Sequence, residues 1–105
     1  VIDIYVNIEV ETSAAYPADG DDRVRDAVIA YIGGVDTEGV THAGLSLGQH
    51  VVWTAVIQAA RSVPGVIDVS VTIGTEPNPT GTSNIPVGAR QVAETAHDKV
   101  VVLHA

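Results

Sequence analysis

The sequence contains no cysteine, no methionine and no phenylalanine, and its only aromatic residues are one tryptophan and three tyrosines. Without cysteine the chain has neither a disulfide framework nor a thiolate metal site, so its stability must come from burial. Hydrophobic residues still make up 46% of the chain, and most are Val, Ile and Ala. Because β-branched side chains pack well on a pleated surface, this composition favours a core built largely on sheet.

Basic residues are also scarce. Five Lys and Arg stand against 13 Asp and Glu, and Lys99 is the only lysine. The formal net charge of −8 would repel a nucleic-acid backbone or an anionic membrane surface, so we expect neither as a partner. An acid-rich, lysine-poor composition is similar to that of proteins adapted to high salt, where screening weakens self-repulsion. An ordinary acidic domain would have the same composition.

Long apolar runs are absent as well. No segment approaches the ~20 residues of a membrane span, and the amino terminus lacks the basic region and apolar block of a signal peptide. We therefore expect a soluble, non-secreted chain. Residues 1–105 are enough for a single domain with one core. Because the chain begins with Val1, has no methionine and starts a strand pattern at once, we expect this domain to be a piece of a longer polypeptide.

The apolar periodicity changes at Pro64-Gly65. Before this pair, apolar residues recur at spacings of three and four and predict a helix from about His50 to Ser62. After it, alternation predicts a strand from Val66 to Ile73 with Ile67, Val69, Val71 and Ile73 on one face. Proline cannot continue a helix and glycine tolerates positive φ, so the pair ends the helix and redirects the chain.

The first half of the chain predicts one strand and one helix. Residues 2–11 alternate strictly between apolar and polar, as in a strand with one buried face. Turn residues follow at 16–20, where Asp19 can cap a helix that ends at Gly33-Gly34. The Gly-rich connection Val35–Gln49 is long for a compact domain, so we expect it to be exposed.

The last third is dominated by turn formers. Residues Gly74–Asn84 predict a surface loop or an extended arm. We expect Ile85–Val87 to pair briefly at an edge and Lys99–His104 to form a closing strand. Residues Ala93–Ala96 fit neither helix nor strand clearly.

The predicted order is therefore β-α-α-β-β. It corresponds to an α+β domain with a small, mainly antiparallel three-stranded sheet and two helices packed on one face. The opposite face of the sheet would be polar and would meet water or a partner. That face would carry Tyr5, Asn7, Glu9, Asp68, Ser70 and Thr72.

One segment matches a catalytic pattern. Gly44-Leu-Ser-Leu-Gly48 fits G-x-S-x-G, in which a serine lies on a strained turn above a parallel sheet. Such a hydrolase needs a later acid and histidine on further strands, whereas the rest of this chain predicts a small antiparallel sheet. We therefore interpret Ser46 as part of a loop that leads into the second helix, and we predict no catalytic residue.

The histidines and aspartates lack the spacing of metal sites. His42, His50, His97 and His104 match no compact zinc pattern and are interpreted as surface residues. The aspartates at 19, 21, 22 and 26 place Arg23 where a calcium loop needs a ligand, so they are interpreted as a solvated helix start. Arg23, Arg25, Arg61 and Arg90 are scattered and form no basic groove. We predict no metal and no cofactor.

Several segments follow one another in a recognisable order. They are the alternating opening strand, Asp22–Ile32, Gly48–Val51, Ala59–Val69 with its Val63-Pro-Gly-Val-Ile-Asp-Val69 core, Ile85–Val87 and Val100–Leu103. In this order they resemble the carboxy-terminal region of the baseplate J-like family. The longer connection Val35–Leu47 and the segment Gln91–His97 depart from the family pattern.

Members of that family are assembly proteins of contractile phage tails and related injection machines. The resemblance implies a structural, non-enzymatic subunit of a phage or prophage baseplate, located in the virion tail and assembled in the host cytoplasm. The implied partners are other baseplate and tail subunits, with a possible oligomer in the assembled tail. On this hypothesis the loops Val35–Leu47 and Gly74–Gln91 bind the neighbours, since loops tolerate change and carry contacts. The alternative is a small-ligand-binding or regulatory α+β domain, because fold does not determine function.

Overall fold

The computed structural model describes residues 2–104 of the chain. Its elements are β1 (Ile2–Asp3), β2 (Tyr5–Thr12), α1 (Gly20–Ile32), β3 (Gly34–Val35), β4 (Thr41–His42), α2 (Trp53–Arg61), β5 (Val66–Gly74), β6 (Ala93–Ala96) and β7 (Val100–His104). The strands form one sheet of three and one of four. The predicted α+β class is confirmed, whereas the predicted order β-α-α-β-β omits the short strands.

The three-stranded sheet has the order β5-β2-β7, so the first long strand lies in its centre. β2 pairs antiparallel with β5, as predicted, with Val6 opposite Ile73. It pairs parallel with β7, where Val6 lies opposite Val100. The three-stranded sheet is therefore mixed, and the predicted mainly antiparallel pairing is confirmed only for β2 with β5. β6 runs parallel to β1. Because β2 directly follows β1 and β7 directly follows β6, β7 also runs parallel to β2.

The second sheet has the order β1-β6-β3-β4 and consists of short strands. Residues 93–96, which the sequence left open, form β6 and pair parallel with both β1 and β3. A strand of two residues is too short to show alternation, so no pattern in the sequence indicates β1, β3 or β4 as separate elements. The predicted continuous strand over residues 2–11 is interrupted at Ile4, where the chain passes from one sheet to the other.

The two helices and the three-stranded sheet enclose one core. α1 lies against β7, α2 lies against β5, and the helices contact each other. The core is almost entirely Val and Ile, as the composition predicts. Its largest fully buried side chains are Ile4, Ile8, Ile29, Ile32, Ile73, Val6, Val10, Val24, Val28, Val51, Val56 and Val100.

Pro64-Gly65 separates helix from strand as predicted. α2 ends at Arg61, β5 begins at Val66, and Gly65 has a φ of +84°. A Cβ atom at Gly65 would lie 2.3 Å from the backbone nitrogen of Tyr16, so this position requires glycine for space as well as for conformation.

Three local predictions differ from the structure. α2 begins at Trp53 rather than near His50, because Val51 is held in a bridge with Ile85. Ile67 is 52% exposed rather than buried, because a register shift at Glu11/Thr12 takes it out of the alternation of β5. Asp19 precedes α1 without a capping hydrogen bond from its side chain.

Candidate functional site

One face of the three-stranded sheet is left uncovered by the helices, and we call it the open face. It consists of Tyr5, Asn7, Glu9 and Glu11 on β2, Asp68, Ser70 and Thr72 on β5, and Val101 and Leu103 on β7. The six residues predicted for this face are all half-buried or exposed. The sequence did not predict that Val101 and Leu103 of β7 would lie on the open face. An uninterrupted Val-rich run is also typical of a strand buried on both faces.

The open face has an acidic part and an apolar part. Glu9 lies between Ser70 on β5 and Leu103 on β7, while Val101 lies beside Asn7. Val101 is 40% exposed and Leu103 is 51% exposed. Leu103 on the edge strand therefore lies directly beside Glu9 on the central strand.

The charge of the open face is negative. Glu9, Glu11 and Asp68 are all exposed and line one shallow, open depression together with Ser70. Lys99 precedes β7, but its Nζ lies 3.2 Å from Asp3 Oδ1 and is engaged in that ion pair. This face would attract a cationic partner and repel an anionic one.

The first predicted contact loop is a structured hairpin. β3 and β4 pair antiparallel, and Asp36 lies at the start of the turn between them. The backbone N–H groups of Glu38 and Val40 each donate to Asp36 Oδ1 at 2.9 Å. His42 Nε2 lies 2.8 Å from Asp36 Oδ2. The hydrogen bond with His42, followed by that from the Val40 N–H, lowers the pKa of Asp36.

This hairpin is tied to α1. The N–H and Oγ1 of Thr37 donate to Asp26 Oδ1 at 3.0 and 2.8 Å. Three large apolar side chains nevertheless remain exposed in the predicted loop: Val35 at 39%, Val40 at 51% and Leu47 at 62%. The loop therefore presents apolar surface from an ordered backbone.

The second predicted loop is also tied down at intervals. The N–H of Ile73 donates to the carbonyl of Gly81 at 2.9 Å, and the N–H of Trp53 donates to Asn84 Oδ1 at 2.9 Å. Ile85 pairs with Val51, so the predicted brief pairing at Ile85–Val87 occurs outside both sheets. Residues 82–84 and 88–91 remain exposed.

A Tyr–Asp–His cluster joins the end of β7 to the start of α1. Tyr16 Oη donates to Asp21 Oδ1 at 2.5 Å, and His104 Nε2 lies 2.8 Å from the same oxygen. Partial burial of Asp21 acts in the opposite direction, but these two hydrogen bonds lower its pKa. Burial, and then the bond to Asp21, raise the pKa of Tyr16. No sequence pattern predicts this cluster, since Tyr16 and Asp21 are more than 80 positions away from His104.

The remaining candidates do not converge. Asp19 and Asp22 pair with Arg23 and Arg25 on the surface of α1, each at 3.1 Å, while Asp21 and Asp26 have the separate partners described above. His50 and His97 are exposed. Among residues 2–104, no group of three or more His, Asp or Glu side chains could hold a metal ion.

Ser46 lies in an exposed turn after the hairpin. Its backbone N–H donates to Gln49 Oε1 at 2.6 Å, and within the described part of the chain its hydroxyl has no hydrogen bond to a histidine. The turn leads towards α2, as interpreted from the sequence.

No protein-family model matches the chain, and no curated protein matches it. Over residues 2–104, neither helix is long and apolar enough to cross a bilayer.

Proposed function

We propose that this domain is a structural assembly module that binds other protein subunits through the open face and the two loops, Val35–Leu47 and Gly74–Gln91. The observation that carries the proposal is the exposure of Val101 and Leu103 beside the carboxylate of Glu9. Exposed apolar side chains rimmed by charged ones are typical of protein contact surfaces.

The order within the loops supports the same role. Asp36 fixes the turn of the hairpin through two backbone hydrogen bonds, and Thr37 ties that turn to Asp26 on α1. A surface that is ordered before contact loses less conformational entropy on binding. Val40 is thus held in place for a neighbour at little further cost.

The setting that we propose is the baseplate of a contractile phage or prophage tail, with other baseplate and tail subunits as partners. This part of the proposal depends on the resemblance of the segments centred on Val63–Val69 to the baseplate J-like family. Because the open face is acidic, we expect such neighbours to present basic side chains to it.

The experiment is light scattering of the purified domain with candidate baseplate neighbours, from about 0.1 M to about 1 M salt. We expect association only with the neighbours. The variants Val40→Ser and Leu47→Ser should weaken it by about tenfold each, because each removes an apolar side chain from the contact. Ile67→Ser is the matched control, because Ile67 is equally exposed but lies outside both loops and the open face. A domain that stays monomeric with every neighbour would contradict the proposal.

A further inference from the structure

The open face has the width of one helix. Neighbouring strands lie about 4.8 Å apart, so three strands span roughly 10 Å, which matches the diameter of an α-helix with its side chains. In many proteins, helices cover one face of a sheet and another layer covers its second face. Here α1 and α2 cover one face, and the other carries exposed Val101 and Leu103.

The pattern of side chains defines what could cover this face. Val101 and Leu103 form an apolar column on β7, where Leu103 lies opposite Glu9 on β2. Glu9 and Glu11 form an acidic column on β2 that continues past the last residue paired with β7. Asp68 adds a third carboxylate on β5, opposite Glu11. A matching helix would present an apolar stripe to β7 and Lys or Arg side chains to the carboxylates.

A second copy of this chain does not match. Two open faces in contact would bring the carboxylates of Glu9, Glu11 and Asp68 from both copies together in a layer from which water is excluded. Each copy also carries a formal charge of −8, and Lys99, which precedes β7, is already paired with Asp3. Like charges placed together at an interface disfavour association.

We propose that the open face is the docking site for an amphipathic basic helix of a partner protein. The inference rests on the proposed function in taking the partner to be another protein of the assembly. β2 has eight residues and is therefore about 26 Å long, so a helix of roughly 17 residues would cover it. The apolar column supplies the burial, and the acidic column fixes which side of the helix faces β5.

The test uses synthetic helical peptides as probes and the complete domain as receptor. The first peptide is an amphipathic Leu/Lys helix of about 18 residues, the second has Glu in place of Lys, and the third is the first with a central proline that breaks the helix. Binding is measured by calorimetry and mapped by amide chemical shifts. We expect the Leu/Lys peptide alone to bind, with shifts on β2 and β7, and its affinity to fall as salt rises.

Variants locate the contact. Leu103→Ser should weaken binding of the Leu/Lys peptide about tenfold, whereas Ile67→Ser, at an equally exposed position, should not. Glu9→Gln should weaken binding and flatten the salt dependence, whereas Glu76→Gln in the second loop should do neither. The circular dichroism of each variant establishes that it is folded.

Three results would overturn the helix inference. They are equal binding of the proline peptide, shifts that map outside the open face, and sedimentation that shows association of the domain with itself through β7. If the peptide fails but baseplate neighbours bind the domain, the inference falls and the proposed function stands. If the peptide binds the open face but no neighbour does, the docking surface stands and the baseplate setting falls.

Discussion

Glu11 and Asp68 lie directly opposite each other across β2 and β5, and both side chains are exposed. Like charges in this position destabilise an antiparallel pair. The register shift between Glu11 and Thr12 follows at once, so the pair lies where regular pairing ends. The domain thus retains an unfavourable contact at the margin of the surface that we propose for a cationic partner, whose side chain would relieve it.

Replacing Glu11 by lysine should stabilise the domain. The change converts a repulsive cross-strand pair into an attractive one and should raise the free energy of unfolding by about 0.5–1 kcal/mol at low salt. The gain should shrink near 1 M salt, where charges are screened. Urea unfolding at two salt concentrations measures both effects. Glu76→Lys changes the net charge equally in a loop, and an equal gain there would assign the effect to net charge rather than to the pair.

Gly65→Ala and Gly39→Ala should differ sharply. The two glycines have nearly the same φ, +84° and +82°, so the conformational cost of a side chain is similar at both. A Cβ at Gly65 would meet Tyr16 backbone atoms, whereas a Cβ at Gly39 would meet nothing within 4 Å. We expect about 1–2 kcal/mol of destabilisation at Gly39 and clearly more at Gly65. Thermal unfolding of both variants tests this, and equal losses would contradict the packing argument.

The sequence was most informative where a pattern extends over several residues. The alternation through β2, the apolar face of α1 and the stop at Pro64-Gly65 all correspond to elements of the structure. Local turn residues carry a further signal: Asp36 three residues before Gly39 is typical of the turn in a hairpin.

What the sequence could not supply depends on contacts between distant segments. The parallel pairing of β7 follows from the path of β6 in the second sheet, and β6 has only four residues. The apolar column of the open face follows in turn from that pairing. Period-two alternation shows which residues share a face, but not whether another layer covers it.

Asp36 should make the domain sensitive to acid. Its pKa is lowered in the folded state, so its charged form contributes stability above the unfolded pKa of about 3.9, and this contribution is lost as the pH falls through the folded pKa. Asp36→Asn should therefore lower the midpoint of thermal unfolding at pH 7, with a difference from wild type that shrinks below about pH 4. Asp98→Asn, at an exposed turn position, controls for net charge. A difference that stays constant with pH would contradict this assignment.

Trp53→Phe should destabilise the domain by removing a hydrogen bond to the edge strand β5. The indole Nε1–H of Trp53 donates to the carbonyl of Val71 at 2.8 Å, and phenylalanine keeps much of the ring packing but not the donor. We expect a loss of about 1 kcal/mol in the free energy of unfolding, measured by circular dichroism in urea. Tyr5→Phe removes the phenolic hydroxyl from a residue of the open face and should lower the free energy of unfolding much less. Equal losses would show that the bond to Val71 is unimportant.

The pairing of Val6 with Val100 also determines when this domain can fold. The central strand β2 precedes its parallel neighbour β7 by nearly the whole length of the domain. Contacts between such distant segments must pay the entropy of closing a long loop first, which slows folding. A nascent chain ending before residue 100 would expose one side of β2 together with the core beneath it. During translation the domain would therefore remain incomplete until β7 has left the ribosome.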